Sequence, residues 1–392
     1  MKKTLYTILL GAISITSQAQ SIDEILSKVE ANNATLKTLR QMTDAEKYEA
    51  HTGNTLSDPN VGFNYLVGSP SGEEANRYDI SLTQSFDFPS AYQYRRKIAD
   101  GNANMADLRY LVSRRDILGQ AAQLYVQIAY LQNLREILYD KGTITSDLLN
   151  ATSRSYEEGE ASIIDLNRVR TTYLNSKKAM MLNEIEISKA VDELTLLNGG
   201  ITLELPSVRF EIPSITSDFE QWFSEVCNNC PELLIEQQNI EQADNNIKLQ
   251  KALNLPKFTL GYMSERTKET TLQGASFEMS IPIFERKNTL RTAKAKKAAA
   301  EEQMRATTLQ HKNELKALHA RATTLSELAI GLEKMRQECG DIESLKKAIQ
   351  NGHITLINYQ SNITEYYDTQ IDILETKREA ILAILALKMY EN

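Results

Sequence analysis

Apolar and polar residues alternate along residues 77–90, RYDISLTQSFDFPS. The apolar positions are Tyr78, Ile80, Leu82, Phe86 and Phe88, with Gln84 as the polar interruption. A period of two is typical of a strand that has one apolar and one polar face. The pattern therefore predicts a strand over residues 77–88, and its length is that of a membrane-spanning strand.

Most of the chain has a different pattern. Residues 90–205 and 283–392 contain no proline and are rich in Ala, Leu, Glu, Lys, Gln and Arg. These residues favour helices, so each stretch is predicted to form a pair of long antiparallel helices. As continuous helix, the seventy residues after Pro89 and the seventy after Pro282 would each measure about 105 Å. Gly142 and Gly340 are weak helix formers, and we expect local irregularities at both.

The chain also repeats itself once. Residues 33–36 match residues 230–233 at a shift of 197, and Phe88-Pro89 matches Ile281-Pro282 at a shift of 193. Residues 156–159 match residues 349–352 at the same shift of 193. The shift changes only in the hairpin region, where loops absorb a difference in length. Each half is therefore predicted to contain, in order, a helix, two strands and two long helices.

The internal repeat predicts the following divisions of a mainly α chain with a small β part. They are a signal peptide at 1–19, a first repeat at 20–200, a linker at 201–217 and a second repeat at 218–392. The first repeat has a helix at about 21–52, strands at 60–67 and 77–88, and a helical turn, or tip, at 156–167. The second has a helix at about 218–253, strands at 257–264 and 276–284, and a tip at 349–360. The polar segments 68–76 and 265–274 are predicted to be the hairpin loops.

The N-terminal segment indicates export. Lys2 and Lys3 precede a short apolar core, and Ser17 to Ala19 form a plausible cleavage site, which is typical of a secretory signal peptide. No cysteine follows the apolar core directly, so no lipid anchor is expected. The formal net charge of −8 disfavours nucleic acid as a partner.

Four strands are too few to close a membrane barrel, which needs about eight, and open sheet edges are not tolerated in lipid. We therefore interpret the strands as one chain's share of a barrel that several chains form, with the apolar positions facing outer-membrane lipid. The alternative is an ordinary soluble sheet covered by helices, which leaves the very long helices unexplained.

Few residues suggest chemistry. Cys227 and Cys230 have the spacing of a redox pair, and we interpret them as a structural disulfide or as idle thiols. An oxidoreductase site is disfavoured because no βαβ pattern surrounds them, and zinc binding is weaker because only one pair is present. The four histidines show no ligand spacing, and His311 and His319 are predicted to lie on an exposed helix. We find no catalytic constellation, so neither an enzyme nor a cofactor is expected.

Three segments resemble the TolC family of outer-membrane efflux ducts. Residues 228–263, with C-P-E-L and L-P elements, look like the entry of that family's second repeat. Residues 276–296 look like its strand-to-helix exit, and residues 155–180 look like its helical tip. The resemblance implies a homotrimer with a twelve-stranded barrel in the outer membrane of a Gram-negative bacterium and a periplasmic α-barrel of coiled-coil helices. It also implies an inner-membrane pump and a periplasmic adaptor, or membrane fusion, protein as partners.

The resemblance assigns closure of such a duct to the tips. The tip and gate residues are Tyr156, Gly159, Asp165, Arg168, Ile349, Gly352, Ile354 and Asn358. Asp165 matches a gating aspartate of the first repeat, whereas Ile349, Ile354 and Asn358 replace the family's tyrosine, arginine and acid. Closure is therefore expected from apolar packing of Ile354, Leu356 and Ile357, or from Asp165 with Arg168. Equally, Asp165 is suited to capping the returning helix.

Two function classes follow. The first is a passive export duct for small molecules, metal ions or polypeptides. The second is a periplasmic coiled-coil scaffold that transports nothing.

Overall fold

The computed structural model describes residues 16–68, 76–205, 210–227, 229–282 and 286–391, with side chains from residue 22 onward. The predicted signal peptide lies largely outside these residues, as do Phe284 and most of the first hairpin loop. Before the linker the elements are α1 (Thr16–Asn32), α2 (Ala34–His51), β1 (Asn60–Leu66), β2 (Arg77–Phe86), α3 (Pro89–Glu157) and α4 (Ile163–Leu197). After it they are α5 (Phe219–Cys227), α6 (Pro231–Leu253), β3 (Lys257–Arg266), β4 (Thr271–Ser280), α7 (Thr289–Glu338), α8 (Ile342–Gln350) and α9 (Leu356–Lys388). The predicted fold class, mainly helical with a small β part, is confirmed.

The strands form one antiparallel sheet in the order β1-β2-β3-β4. The hairpin strands β1 and β2 come from the first repeat, and β3 and β4 from the second. The central pair, β2 with β3, joins the two halves of the chain, with Leu82 opposite Tyr262. Thus the polypeptide's duplicated halves contribute equally to a single hydrogen-bonded layer.

Two strand predictions were wrong at their ends. Phe88 lies beyond β2, because its carbonyl accepts a hydrogen bond from Ala91 N (2.8 Å) where Pro89 begins α3. The strand predicted at 276–284 occupies Thr271–Ser280 instead. The hairpin loop between β3 and β4 is consequently short: Thr267 and Thr270 close it, with Thr267 N donating to Thr270 O (2.9 Å).

The helix predicted over 21–52 is divided at Asn33. This side chain accepts a hydrogen bond from Leu36 N (2.8 Å), which caps α2, and donates another to Leu197 O (2.8 Å). The helix predicted over 218–253 is divided as well, into α5 and α6, and Pro231 occupies the first turn of α6.

The two glycines predicted as irregularities differ in outcome. Gly142 lies inside the unbroken 69-residue helix α3, where a Cβ would be 2.7 Å from Met180 Sδ. It is therefore a position of close helix packing and not a break. Gly340 does mark a break, because α7 ends before it and Asp341 caps α8, accepting from Ser344 N (2.8 Å).

The chain forms two compact units. Unit 1 comprises Met1–Thr38, Ser113–Asn228 and Lys312–Asn392, and unit 2 comprises Leu39–Val112 and Asn229–His311. Each unit takes segments from both predicted repeats. Unit 1 has apolar cores around Ile128, Ile384 and Ile363. Unit 2 carries the sheet.

Candidate functional site: the sheet face and the helical tips

One face of the sheet carries apolar residues on all four strands. Leu82 of β2 lies opposite Val61 and Tyr262, and Phe86 lies opposite Phe258. Polar residues share this face, since Leu260 lies opposite Gln84, and Ile80 and Tyr78 lie opposite Ser264 and Arg266 of β3. We call its apolar residues the apolar sheet face: Val61, Phe63, Tyr65, Tyr78, Ile80, Leu82, Phe86, Phe258, Leu260, Tyr262, Ala275, Phe277 and Met279. Much of it is solvent-exposed, from 45% for Tyr262 to 71% for Val61. An exposed apolar area of this kind marks an interaction surface.

The opposite face is mainly polar, although it includes Leu66, Met263 and Leu272, and it holds an ion cluster. Arg77 Nε donates to Asp79 Oδ1 (2.6 Å), and Arg77 also pairs with Glu265 of β3. Small residues lie nearer the middle of this face, where Gly261 is opposite Thr83. The two faces of the layer therefore suit different surroundings, one apolar and one aqueous.

The first tip is a tight turn between α3 and α4. Gly159 has φ +78°, a left-handed conformation that favours glycine, and Glu160 N donates to Ser155 O (2.8 Å). Ser162 caps α4: its Oγ accepts from Asp165 N (3.1 Å) and donates to Asp165 Oδ2 (2.7 Å). Ser162 is therefore the N-cap, and Asp165 lies in the first turn of α4, bonded to the capping hydroxyl. Within the described residues, no ion pair joins it to the exposed Arg168.

The second tip repeats this geometry 193 residues later. Gly352 has φ +70°, and His353 N donates to Ala348 O (2.8 Å). Thr355 caps α9 and accepts from Asn358 N (3.3 Å). Asn358 therefore occupies the position of Asp165 without its charge. The carboxylates at the tips come from the turn of the first repeat, where Glu157, Glu158 and Glu160, here called the acidic turn, are exposed.

An apolar cluster of unit 1 lies beneath the tips. Its buried members include Val169, Tyr359, Ile363 and Tyr367, and burial raises the pKa of Tyr359. Ile349, Ile354 and Leu356 pack against it, so they contribute to the subunit's own core. The exposed apolar tip residues are Tyr156, Ile163, Ile164 and Ile357. Sequence reasoning missed Ile163 and Ile164, although the 193-residue shift pairs Ile164 with Ile357.

The cysteines are free thiols, so the structure contains no Cys227–Cys230 disulfide. Cys230 is buried, and burial, together with its hydrogen bond to Glu232, raises the pKa of its thiol to about 12. A neutral buried thiol is a poor nucleophile, which argues against an oxidoreductase. The prediction of exposed histidines was wrong: His311 and His319 are both buried on α7.

No helix in the described part of the chain has the length and apolar character needed to cross a membrane.

A helical chain carrying a four-stranded antiparallel sheet with an exposed apolar face has the architecture of an outer-membrane channel subunit. Comparison with known proteins agrees. The sequence profile of the outer membrane efflux protein family matches residues 25–200 and 222–389. The chain belongs to this family, and the resemblance to TolC-like ducts is confirmed.

Solved structures share the fold. The outer-membrane channel OprN superposes with a TM-score of 0.80 at 13% identity, covering 95% of this chain and 89% of OprN. VceC from Vibrio cholerae gives 0.77 at 13% identity, with coverage of 95% and 96%. CmeC from Campylobacter jejuni, an outer membrane channel, gives 0.75 at 13%, with coverage of 95% and 85%. In sequence, no curated protein matches the chain significantly.

Proposed function

We propose that this chain is one subunit of a homotrimeric duct that passively exports solutes through the outer membrane. The observation that carries the proposal is the apolar sheet face. In water, so much exposed apolar area is unfavourable, at roughly 25 cal/mol per Å². In the membrane the same face contacts the hydrocarbon chains of the lipid, which removes this cost. The polar face with Arg77, Asp79 and Glu265 then borders an aqueous lumen.

The unpaired edges of the sheet favour an assembly of several subunits. In the described chain β1 and β4 are the outer strands and each pairs on one side. Open edges are costly in lipid because their backbone groups lack partners. Joining β4 of one copy to β1 of the next satisfies both edges, and three copies supply twelve strands, more than the eight of the smallest barrels.

The tips supply a site for the remaining partners. We infer that Ile163, Ile164 and Ile357 contact a periplasmic adaptor protein, because they are exposed apolar residues at helix ends. An inner-membrane pump then delivers the cargo through the adaptor. The acidic turn would attract cations among that cargo, whether small molecules, metal ions or polypeptides, since like charges around a constriction focus the electric field.

Fractionation followed by conductance measurement tests this function. The full chain, expressed with its N-terminal segment, should appear in outer membranes, purify in detergent as a trimer and conduct ions in planar bilayers. A control with Cys339→Ser, an exposed position, should behave identically. Recovery as a detergent-independent periplasmic oligomer that conducts nothing would favour a scaffold instead.

A further inference from the structure

Three metal-ligating side chains meet at the start of α6. Cys230 Sγ lies 3.0 Å from Glu232 Oε2 and 3.1 Å from His311 Nε2 of α7. All three ligand atoms lie within 4.8 Å of one another. Cys230 and His311 are buried and Glu232 is half-buried, and the three residues belong to unit 2.

We propose that Cys230, Glu232 and His311 bind a zinc ion that links α6 to α7. Thiolate, imidazole and carboxylate are the donors that zinc accepts, whereas magnesium and calcium take oxygen ligands. Three protein ligands leave a fourth tetrahedral position for water.

The spacing suits such an ion. Zinc lies about 2.3 Å from sulfur and about 2.0–2.1 Å from nitrogen or oxygen, so two tetrahedral donors are separated by roughly 3.3–3.6 Å. The two sulfur contacts need to open by only about half an ångström to reach that separation. Zinc binds cysteine as the thiolate, so binding releases the proton of the Cys230 thiol to solvent.

The first repeat provides an internal comparison. At shifts of 197 and 193, the counterparts of Cys230, Glu232 and His311 are Asn33, Thr35 and Leu118. Asn33 is an ordinary helix cap and Leu118 belongs to an apolar core. The second repeat therefore has a potential metal ligand at all three of these positions, and the first repeat has a thiol, carboxylate or imidazole at none of them. This coincidence is not needed for helix capping or packing, which the first repeat achieves without it.

An ion here would close the segment 230–311, which carries both strands of the second hairpin. Holding the two ends of that segment together restricts its unfolded conformations, as any long-loop crosslink does. The metal would thus stabilise unit 2 around β3 and β4.

The test is zinc titration of the reduced, chelator-treated full chain in detergent, in competition with a chromophoric chelator. We expect one zinc per chain and a higher melting temperature with zinc, but no such response to magnesium or calcium. X-ray absorption of the zinc complex should show one sulfur at about 2.3 Å and nitrogen or oxygen neighbours at about 2.0–2.1 Å.

Cys230→Ser and His311→Gln should each weaken zinc binding by roughly tenfold or more, whereas Cys227→Ser should leave it unchanged. Absence of stoichiometric binding, unaltered affinity in Cys230→Ser, or a zinc spectrum without sulfur would overturn the proposal. If either buried variant fails to assemble, Glu232→Gln and the wild-type absorption spectrum still decide the question. If the wild-type protein binds zinc but conducts no ions in planar bilayers, the result would contradict the proposed duct function and not the zinc site.

Discussion

The orientation of the sheet can be tested by placing a charge on either face of β2. Leu82 is the sixth of the ten residues of this strand, and it lies between Val61 and Tyr262 on the apolar sheet face. If that face meets lipid, Leu82 is close to the bilayer midplane. Leu82→Arg then places a cation in hydrocarbon, at a cost of about 2–4 kcal/mol per chain.

A trimer would bear this cost three times, or about 6–12 kcal/mol in total. Typical proteins are stable by only about 5–15 kcal/mol, so the variant should yield little trimer. The assay is detergent extraction of outer membranes, followed by measurement of the trimer fraction on a gel run without heating.

The matched control is Thr83→Arg, one residue further along the same strand. Thr83 lies on the polar face opposite Gly261. The arginine side chain of the variant should therefore extend into water, which leaves assembly intact and alters conductance. Equal trimer yields from Leu82→Arg and the wild type would refute the facing assigned here. Loss of trimer from both variants would show that β2 tolerates no arginine on either side.

Three further outcomes are expected. Replacing every glutamate of the acidic turn by glutamine should reduce cation selectivity in planar bilayers, and an unchanged reversal potential would leave these residues as ordinary surface charge. Ser162→Ala removes the cap of α4 and should cost about 1 kcal/mol in urea unfolding, whereas no loss would show that the tip frays in solution. Hydrogen bonds from Arg114 lower the pKa of Glu30, so Glu30→Gln should destabilise the protein at neutral pH. That difference should disappear as pH falls from about 4.3, the ordinary glutamate pKa, through the lowered folded-state value, and a constant difference at all pH values would contradict it.

The repeat and the strand pattern could be predicted from sequence because both depend on spacing. The alternation in β2 is visible because its apolar residues lie on one face of the sheet and, apart from Gln84, its polar residues lie on the other. The shared shift of 193 places Gly159 with Gly352 and Ser162 with Thr355, and the structure gives each pair the same local role.

Other features could not be predicted, because they depend on tertiary partners. β4 begins at Thr271, although Leu272 breaks the expected alternation: it pairs with Glu265 on the polar side. Backbone pairing continues there regardless of which side chains face which way. Helix α7 is rich in alanine, so its periodicity does not show which side is covered. His311 is buried and contacts Cys230 of another helix, and such a tertiary contact is not visible in the sequence pattern.

The number of strands in each subunit has a consequence for how copies join. With four antiparallel strands, β1 and β4 run in opposite directions, so β4 of one chain and β1 of an identical chain also meet antiparallel. An odd number would place parallel neighbours at every junction and interrupt the alternation. An even number of strands thus allows the junction between two chains to have the same antiparallel hydrogen-bond pattern as the sheet within one chain. Any number of four-stranded units preserves this alternation, so the strands do not determine how many copies join. The proposed number of three would therefore have to be set by how the helices pack.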